Sequence, residues 1–183
     1  MNVSSRRSAW RGRLLHTADN LPYIPWLRDR GSLTERIRGQ GSFAVRLLRQ
    51  ELALPTRDEA LVLGVNARML VRVREVALLC NGEAVVFAHT VLPCHPRGPL
   101  TRWLARIGSR SLGSLLFADP GFSRGEINCK RLDARHPLFW PARKVIGGAP
   151  KALWARRSLF RFGPQSVLVT EVYSAALCGA KIQ

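Results

Sequence analysis

The stretch Val71-Arg72-Val73-Arg74-Glu75-Val76-Ala77-Leu78-Leu79-Cys80-Asn81-Gly82-Glu83-Ala84-Val85-Val86-Phe87-Ala88-His89-Thr90-Val91-Leu92 decides the fold. Two runs rich in β-branched and aliphatic residues, about Met69–Leu79 and Ala84–Leu92, flank Asn81-Gly82. That dipeptide favours a type I′ turn, whose two central residues need positive φ, so the pattern predicts an antiparallel hairpin. With Asn81 and Gly82 as the loop, Cys80 faces Glu83, Arg74 lies opposite His89 and Arg72 opposite Val91. Facing residues share a side of the sheet, with Cβ atoms roughly 4.5–5.5 Å apart. Period-2 alternation also groups Arg74 with Leu70, Arg72, Val76 and Leu78. The turn thus gathers Arg72, Arg74 and His89 as possible pocket residues on a face that also holds Phe87. A face both apolar and cationic suits a cyclic carboxylate with a hydrophobic ring. On a solvated face the same arginines would snorkel, and a bulge would break the register.

A second strand-like run, Val167–Tyr173, puts Glu171 beside Val167, Val169 and Tyr173. A charge aimed into a core is costly unless paired or used. Arg74 and Glu171 are therefore either a grip on a polar ligand or a structural ion pair bridging strands, and the residues alone leave both open. Among the acids, Glu35 reads as a helix cap, Glu75 faces away from Arg74, and Glu83 sits beside the turn. That leaves Glu171 as the best acid/base candidate. No phosphate-cradling glycine loop, G-x-S-x-G or H-E-x-x-H occurs. Cys80, Cys94, Cys129 and Cys178 show no C-x-x-C spacing, which fits a reducing cytoplasm, and Pro93 and Pro96 interrupt the loose group of His89, Cys94 and His95. No metal is expected.

The rest of the chain reads as α+β, a single domain of antiparallel sheet with helices packed on it. Residues 1–22 are polar, basic and without period, a loose arm; 23–178 form the domain and 179–183 a tail. Ser32-Leu33-Thr34-Glu35 is a capping box opening a short helix that Gly39 and Gly41 end. Phe43 to Leu54 alternates as a strand closed by Pro55. Leu100, Trp103, Leu104 and Ile107 follow helical spacing, and Ser111-Leu112-Gly113 begins a second short helix. Asp119-Pro120-Gly121 is a turn and Glu126–Leu132 a strand. His136 to Pro150, with Phe139 and Trp140, reads as a loop able to cover something. Strands near Leu153–Phe162 and Val167–Ala176 close the chain, joined by Gly163-Pro164.

Charge points less clearly. The chain has 29 Lys+Arg against 12 Asp+Glu, a net charge of +17 over 183 residues. Such an excess is a footprint of nucleic-acid binding, but 25 of the 29 are arginine, which a GC-rich genome also produces. It is uneven too, concentrated in residues 1–16 and 124–161, while residues 51–100 balance at five of each sign. A basic surface equally steers small polyanions. No apolar run reaches the ~18 residues of a membrane helix, and no hydrophobic stretch follows the N-terminal arginines as in a secretory signal. A cytoplasmic protein without membrane insertion is expected.

Six ordered motifs carry a resemblance. They are Ser32-Leu33-Thr34, Val73-Arg74-Glu75-Val76-Ala77-Leu78-Leu79-Cys80-Asn81-Gly82-Glu83, Thr90-Val91-Leu92-Pro93, Leu112-Gly113-Ser114-Leu115-Leu116-Phe117, Ala155-Arg156-Arg157-Ser158 and Leu168-Val169-Thr170-Glu171. Together, over about Trp26 to Leu177, they resemble the bacterial chorismate pyruvate-lyase family, which starts ubiquinone synthesis. The resemblance implies an α+β domain enclosing a buried ligand pocket, and cofactor-free conversion of chorismate to 4-hydroxybenzoate and pyruvate. It implies that Arg74 holds the ring carboxylate, that Leu33 and Leu112 contribute through backbone N–H groups at helix N-termini, and that Glu171 meets the oxygen at the far end of the ring. Where this chain has His89, the family commonly has an arginine, a departure that bears on substrate affinity and that Arg72 could offset. A monomer is expected.

Two other functions fit the sequence. Related folds serve as effector-sensing domains of transcription regulators, though these normally follow a helix-turn-helix segment. An RNA-binding protein would use the 124–161 stretch, but that stretch lacks the aromatic interleaving that base stacking uses. No nucleic acid is therefore expected as partner.

Overall fold

The Asn81-Gly82 turn forms as its sequence dictates, with φ of 51° at Asn81 and 83° at Gly82. The computed structural model describes residues 9–94, 100–101, 107, 112–113, 116 and 119–179. Around the turn, β2 (Val71–Cys80) and β3 (Glu83–Pro93) pair antiparallel. With β1 (Phe43–Ala53), β4 (Phe122–Arg124), β5 (Asn128–Leu132), β6 (Leu153–Phe162) and β7 (Gln165–Tyr173) they build one sheet of order β1-β2-β3-β7-β6-β4. Here β5 pairs the same edge of β6 as β4, farther along it.

Register departs from the hairpin arithmetic. Cys80 pairs with Glu83 and Leu79 with Ala84, but Leu78 pairs with Val86, which leaves Val85 as an extra residue. Every pair beyond this bulge is displaced by one, so Arg74 faces Thr90, Arg72 faces Leu92, and Glu75 faces His89. Because side chains alternate, a slip of one residue turns a partner to the other face. His89 and Phe87 therefore lie on the face opposite Arg74, and the Arg72–Arg74–His89 group does not form.

Helices cover both faces. On Arg74's side lie α1 (Ile24–Leu27) and α2 (Leu33–Arg38), whose Trp26, Leu27, Leu33 and Ile37 pack with Val76, Leu78, Ala88 and Tyr173. Farther along the same face Leu100, Ile107 and Leu116 bury Leu92, Phe160 and Val167. Trp103 and Leu104, expected on a helix, lie outside the described residues, as do Ser111, Leu115 and Phe117. Ser32 caps α2, its hydroxyl accepting from the Glu35 backbone N–H at 3.4 Å. Glu35 does not complete the box; its carboxylate takes Arg38 instead at 2.7 Å.

The opposite face is closed by α3 (Arg57–Leu63) and α4 (Phe139–Ile146). A complete capping box starts α3, with Thr56 and Glu59 each bonding the other's backbone N–H. The Thr-x-x-Glu spacing was in the sequence, and the capping rule reaches it. Its Leu63 packs on Val71, Val73, Val91 and Leu168. The stretch read as a covering loop is the helix α4, whose Phe139 and Ala142 pack on Phe87, Leu132, Leu153 and Val172. It thus covers the face away from Arg74.

The N-terminal segment also departs from its reading as a loose arm, within the described residues. Arg11 makes a two-way backbone bridge with Cys129, at 2.9 and 2.8 Å. Trp10 Nε1 donates to Asp58 at 2.9 Å beneath the Arg157 guanidinium, and buried Asn20 ties Leu15 and Thr17 together. A tryptophan and a buried asparagine anchor a segment that has no period of its own.

Candidate active site

Alternation along four strands sends one set of side chains into a cavity between the sheet and its covering helices. Arg74, Val76 and Leu78 come from β2, Ala88 and Thr90 from β3, Val169 and Glu171 from β7, and Ser158 and Phe160 from β6. Leu33 and Thr34 of α2, the helical residues Leu112, Gly113 and Leu116, and Arg124 of β4 complete the walls. The space among these residues, counted out to the mouth, is about 590 Å³.

The cavity is mostly apolar with a few convergent polar groups. Arg74 is 2% exposed, and its Nη1 donates to Gln50 Oε1 on β1 at 3.0 Å. Burial pulls its pKa down from the usual arginine value. Leu33 is the first residue of α2, where backbone N–H groups lack partners within the helix.

Glu171 does not pair with Arg74. Its partner is Arg156, directly across on β6, whose Nε donates to Glu171 Oε2 at 2.5 Å. Arg156 is 1% exposed, and its Nη1 also donates to the carbonyls of Trp26 and Asp29 at 2.8 and 2.5 Å. Burial disfavours its charge, but Glu171 outweighs burial and holds its pKa above the usual range. Tyr173 Oη lies 3.4 Å from the same carboxylate oxygen. Four parts of the fold thus meet at Arg156: β6, β7, α1 and the loop that follows it.

The sequence-derived candidates divide accordingly. Arg74, Glu171, Leu33 and Leu112 all line the cavity. Arg72 shares Arg74's face without being among its walls. His89 is a correction: it sits behind the sheet, 4% exposed, with Nδ1 2.9 Å from Glu75 Oε1 and Nε2 3.1 Å from Glu59 Oε1. Arg49 reaches Glu75 from β1 at 3.0 Å. Burial would depress the imidazole's pKa, but the two carboxylates outweigh it and raise it. Both carboxylates are correspondingly lowered, although burial alone would raise them.

Sequence reasoning missed Arg156 and Arg124. Arg156, Ser158 and Phe160 alternate along β6, so the signal for a shared face was present. Pairing Arg156 with Glu171 needed the β6–β7 register.

Comparison with known proteins decides the family. The family model described as "Chorismate lyase" matches residues 14–179. The chain belongs to the chorismate lyase family. A protein named "Probable chorismate pyruvate-lyase" from Dechloromonas aromatica is 50% identical over 173 residues, covering 94% of this chain and 97% of the relative. Another of the same name, from Methylobacillus flagellatus, is 45% identical over 152 residues, covering 82% and 85%. Among solved structures, PhnF from Mycobacterium smegmatis superposes with a TM-score of 0.60 at 19% identity, over 81% of this chain and 66% of that one. The chorismate lyase domain therefore shares its fold with that protein.

Proposed function

We propose that this chain cleaves chorismate to 4-hydroxybenzoate and pyruvate without a cofactor, the step that opens ubiquinone synthesis. The observation that carries the reading is a cavity that places a buried guanidinium, Arg74, and a carboxylate, Glu171, across two strand spacings, about 10 Å between backbones. Family membership supports it.

The ring lies over Ala88, Thr90 and Val169, its carboxylate on the Arg74 fork and the N–H groups at Leu33 and Leu112. Glu171 receives the hydrogen bond of the ring hydroxyl. Arg156 Nε, already donating to Glu171, satisfies the ionised carboxylate, so Glu171 acts here as acceptor and orienter. In the reaction the bond from ring C3 to the ether oxygen breaks, C4 loses its hydrogen as a proton, and the ring becomes aromatic. The released enolpyruvate gains one proton and becomes pyruvate. Aromatisation drives the step, so fixing the ring in a water-poor cavity supplies much of what catalysis requires.

The test mixes purified protein with chorismate and follows both products. Equal formation of 4-hydroxybenzoate and pyruvate is expected. Saturable binding of 4-hydroxybenzoate with no turnover would instead identify a sensing domain. A cytoplasmic monomer belongs to the same reading, and light scattering on a sizing column checks the monomer.

A further inference from the structure

Three guanidiniums stand in or against the walls of this cavity, and the mechanism above employs two. Arg74 takes the ring carboxylate and Arg156 holds Glu171. Arg124, the last residue of β4, is the third. It lines the cavity half-buried, its Cζ 5.3 Å from the centroid of the Phe160 ring. Its Nε donates to Ser158 Oγ at 3.0 Å and its Nη1 to the carbonyl of Arg30 at 3.1 Å. These two bonds orient the planar fork.

The register fixes where that fork arrives. Arg74 faces Thr90, Thr90 faces Val169 and Val169 faces Ser158, so these four side chains form one row across β2, β3, β7 and β6. Arg124 bonds to the Ser158 end of this row, four strand spacings from β2, about 19 Å between backbones. Glu171 stands in the next row, between the two arginines. A ring seated with one carboxylate on Arg74 and its hydroxyl on Glu171 directs a substituent beside that hydroxyl toward Arg124.

Charge agrees. The lining carries two cations, Arg74 and Arg124, and one carboxylate, Glu171, which Arg156 pairs from β6. Chorismate carries two carboxylates, and 4-hydroxybenzoate keeps one.

We propose that Arg124, oriented by Ser158 and the Arg30 carbonyl, binds the substrate's second carboxylate, that of the enolpyruvyl side chain, and thereby favours the dianionic substrate over the monoanionic product. The inference rests on the lyase reading. After cleavage that carboxylate belongs to pyruvate, and Arg124 makes no contact with the remaining product.

The experiment compares chorismate kinetics with 4-hydroxybenzoate affinity in the Arg124→Met and Arg124→Lys variants. Arg124→Met is expected to raise the chorismate KM roughly 10- to 100-fold while the Kd for 4-hydroxybenzoate stays unchanged. Arg124→Lys, keeping charge but losing the fork, falls between. An unchanged KM, or a 4-hydroxybenzoate Kd that worsens in parallel, overturns the proposal. A merely structural role would move both ligands together.

Competition on the unaltered protein supplies a readout should Arg124→Met not fold. There 3-(carboxymethoxy)-4-hydroxybenzoate is expected to bind more tightly than its neutral carbamoylmethoxy counterpart, and equal binding overturns the proposal. Absence of chorismate turnover in the unaltered protein would sink the lyase reading instead, while the competition still reports on the anion site.

Discussion

Glu171 belongs at once to a buried ion pair and to the cavity wall. Its carboxylate neutralises Arg156, a guanidinium removed from water, and also faces the cavity. Glu171→Ala strands that cation. Its expected cost is about 3 kcal/mol in urea denaturation, the order seen when one partner of a buried pair is removed. Combining it with Arg156→Met is expected to restore much of the stability and none of the activity, which separates the two roles. Arg74→Ala is expected to lower kcat/KM at least roughly 100-fold and to weaken 4-hydroxybenzoate as well, because both ligands carry the ring carboxylate. Isothermal titration with 4-hydroxybenzoate checks this, and an unaltered Kd would remove Arg74 from the site. At this scale the sequence was informative, since alternation alone placed Arg74 and Glu171 on apolar faces. It was silent on Arg156, because nothing local distinguishes an arginine that pairs across a sheet from one that meets solvent.

Among the elements, the hairpin and α3 together hold His89 on the side of the sheet away from the cavity. The Asn81-Gly82 turn was legible because positive φ restricts residue choice, and Gly82→Ala is expected to cost about 1 kcal/mol with no change in KM. The bulge at Val85 was not legible, because Ala84, Val85 and Val86 are similar enough that their local preferences barely differ. What selects it is the set of groups it brings together: Thr90 into the cavity and His89 between Glu75 and Glu59. Glu59 joins both worlds, capping α3 through the Thr56 N–H at 2.8 Å and pairing with His89. Thr56→Ala is therefore expected to lose about 1 kcal/mol by thermal or urea unfolding, the usual cost of a lost cap. α4 shows the opposite case, where a Pro- and Gly-flanked stretch became helix because its Phe139 and Ala142 had a sheet face to cover.

Two properties belong to the molecule as a whole. Behind the sheet, the Glu59–His89–Glu75–Arg49 cluster makes stability depend on pH. The imidazole's raised pKa stabilises the fold fully below its ordinary 6.5, and this is lost as pH rises through the higher folded value. The lowered Glu59 and Glu75 stabilise it above their ordinary 4.5, and this is lost as pH falls through their folded values. The cluster's contribution is thus greatest between pH 4.5 and 6.5. Urea midpoints are expected to fall on the alkaline side. His89→Arg, permanently charged, is expected to flatten that decline, and an unchanged slope would remove His89 from the account. The second property is the +17 charge. A strongly cationic molecule attracts a dianion over long range, so kcat/KM for chorismate is expected to fall as salt rises, while kcat stays level.

The sequence by itself determined the features governed by short-range rules: the turn, most strand and cap positions, the faces that carry Arg74 and Glu171, and the ordered motifs of a chorismate lyase. Tertiary structure decided which charges share a face and which helices close each side. The reason is the two-residue period of a strand: one extra residue, Val85, sends His89 behind the sheet, and neither that bulge nor the Arg156–Glu171 pair is specified until neighbouring strands and helices compete for the same core.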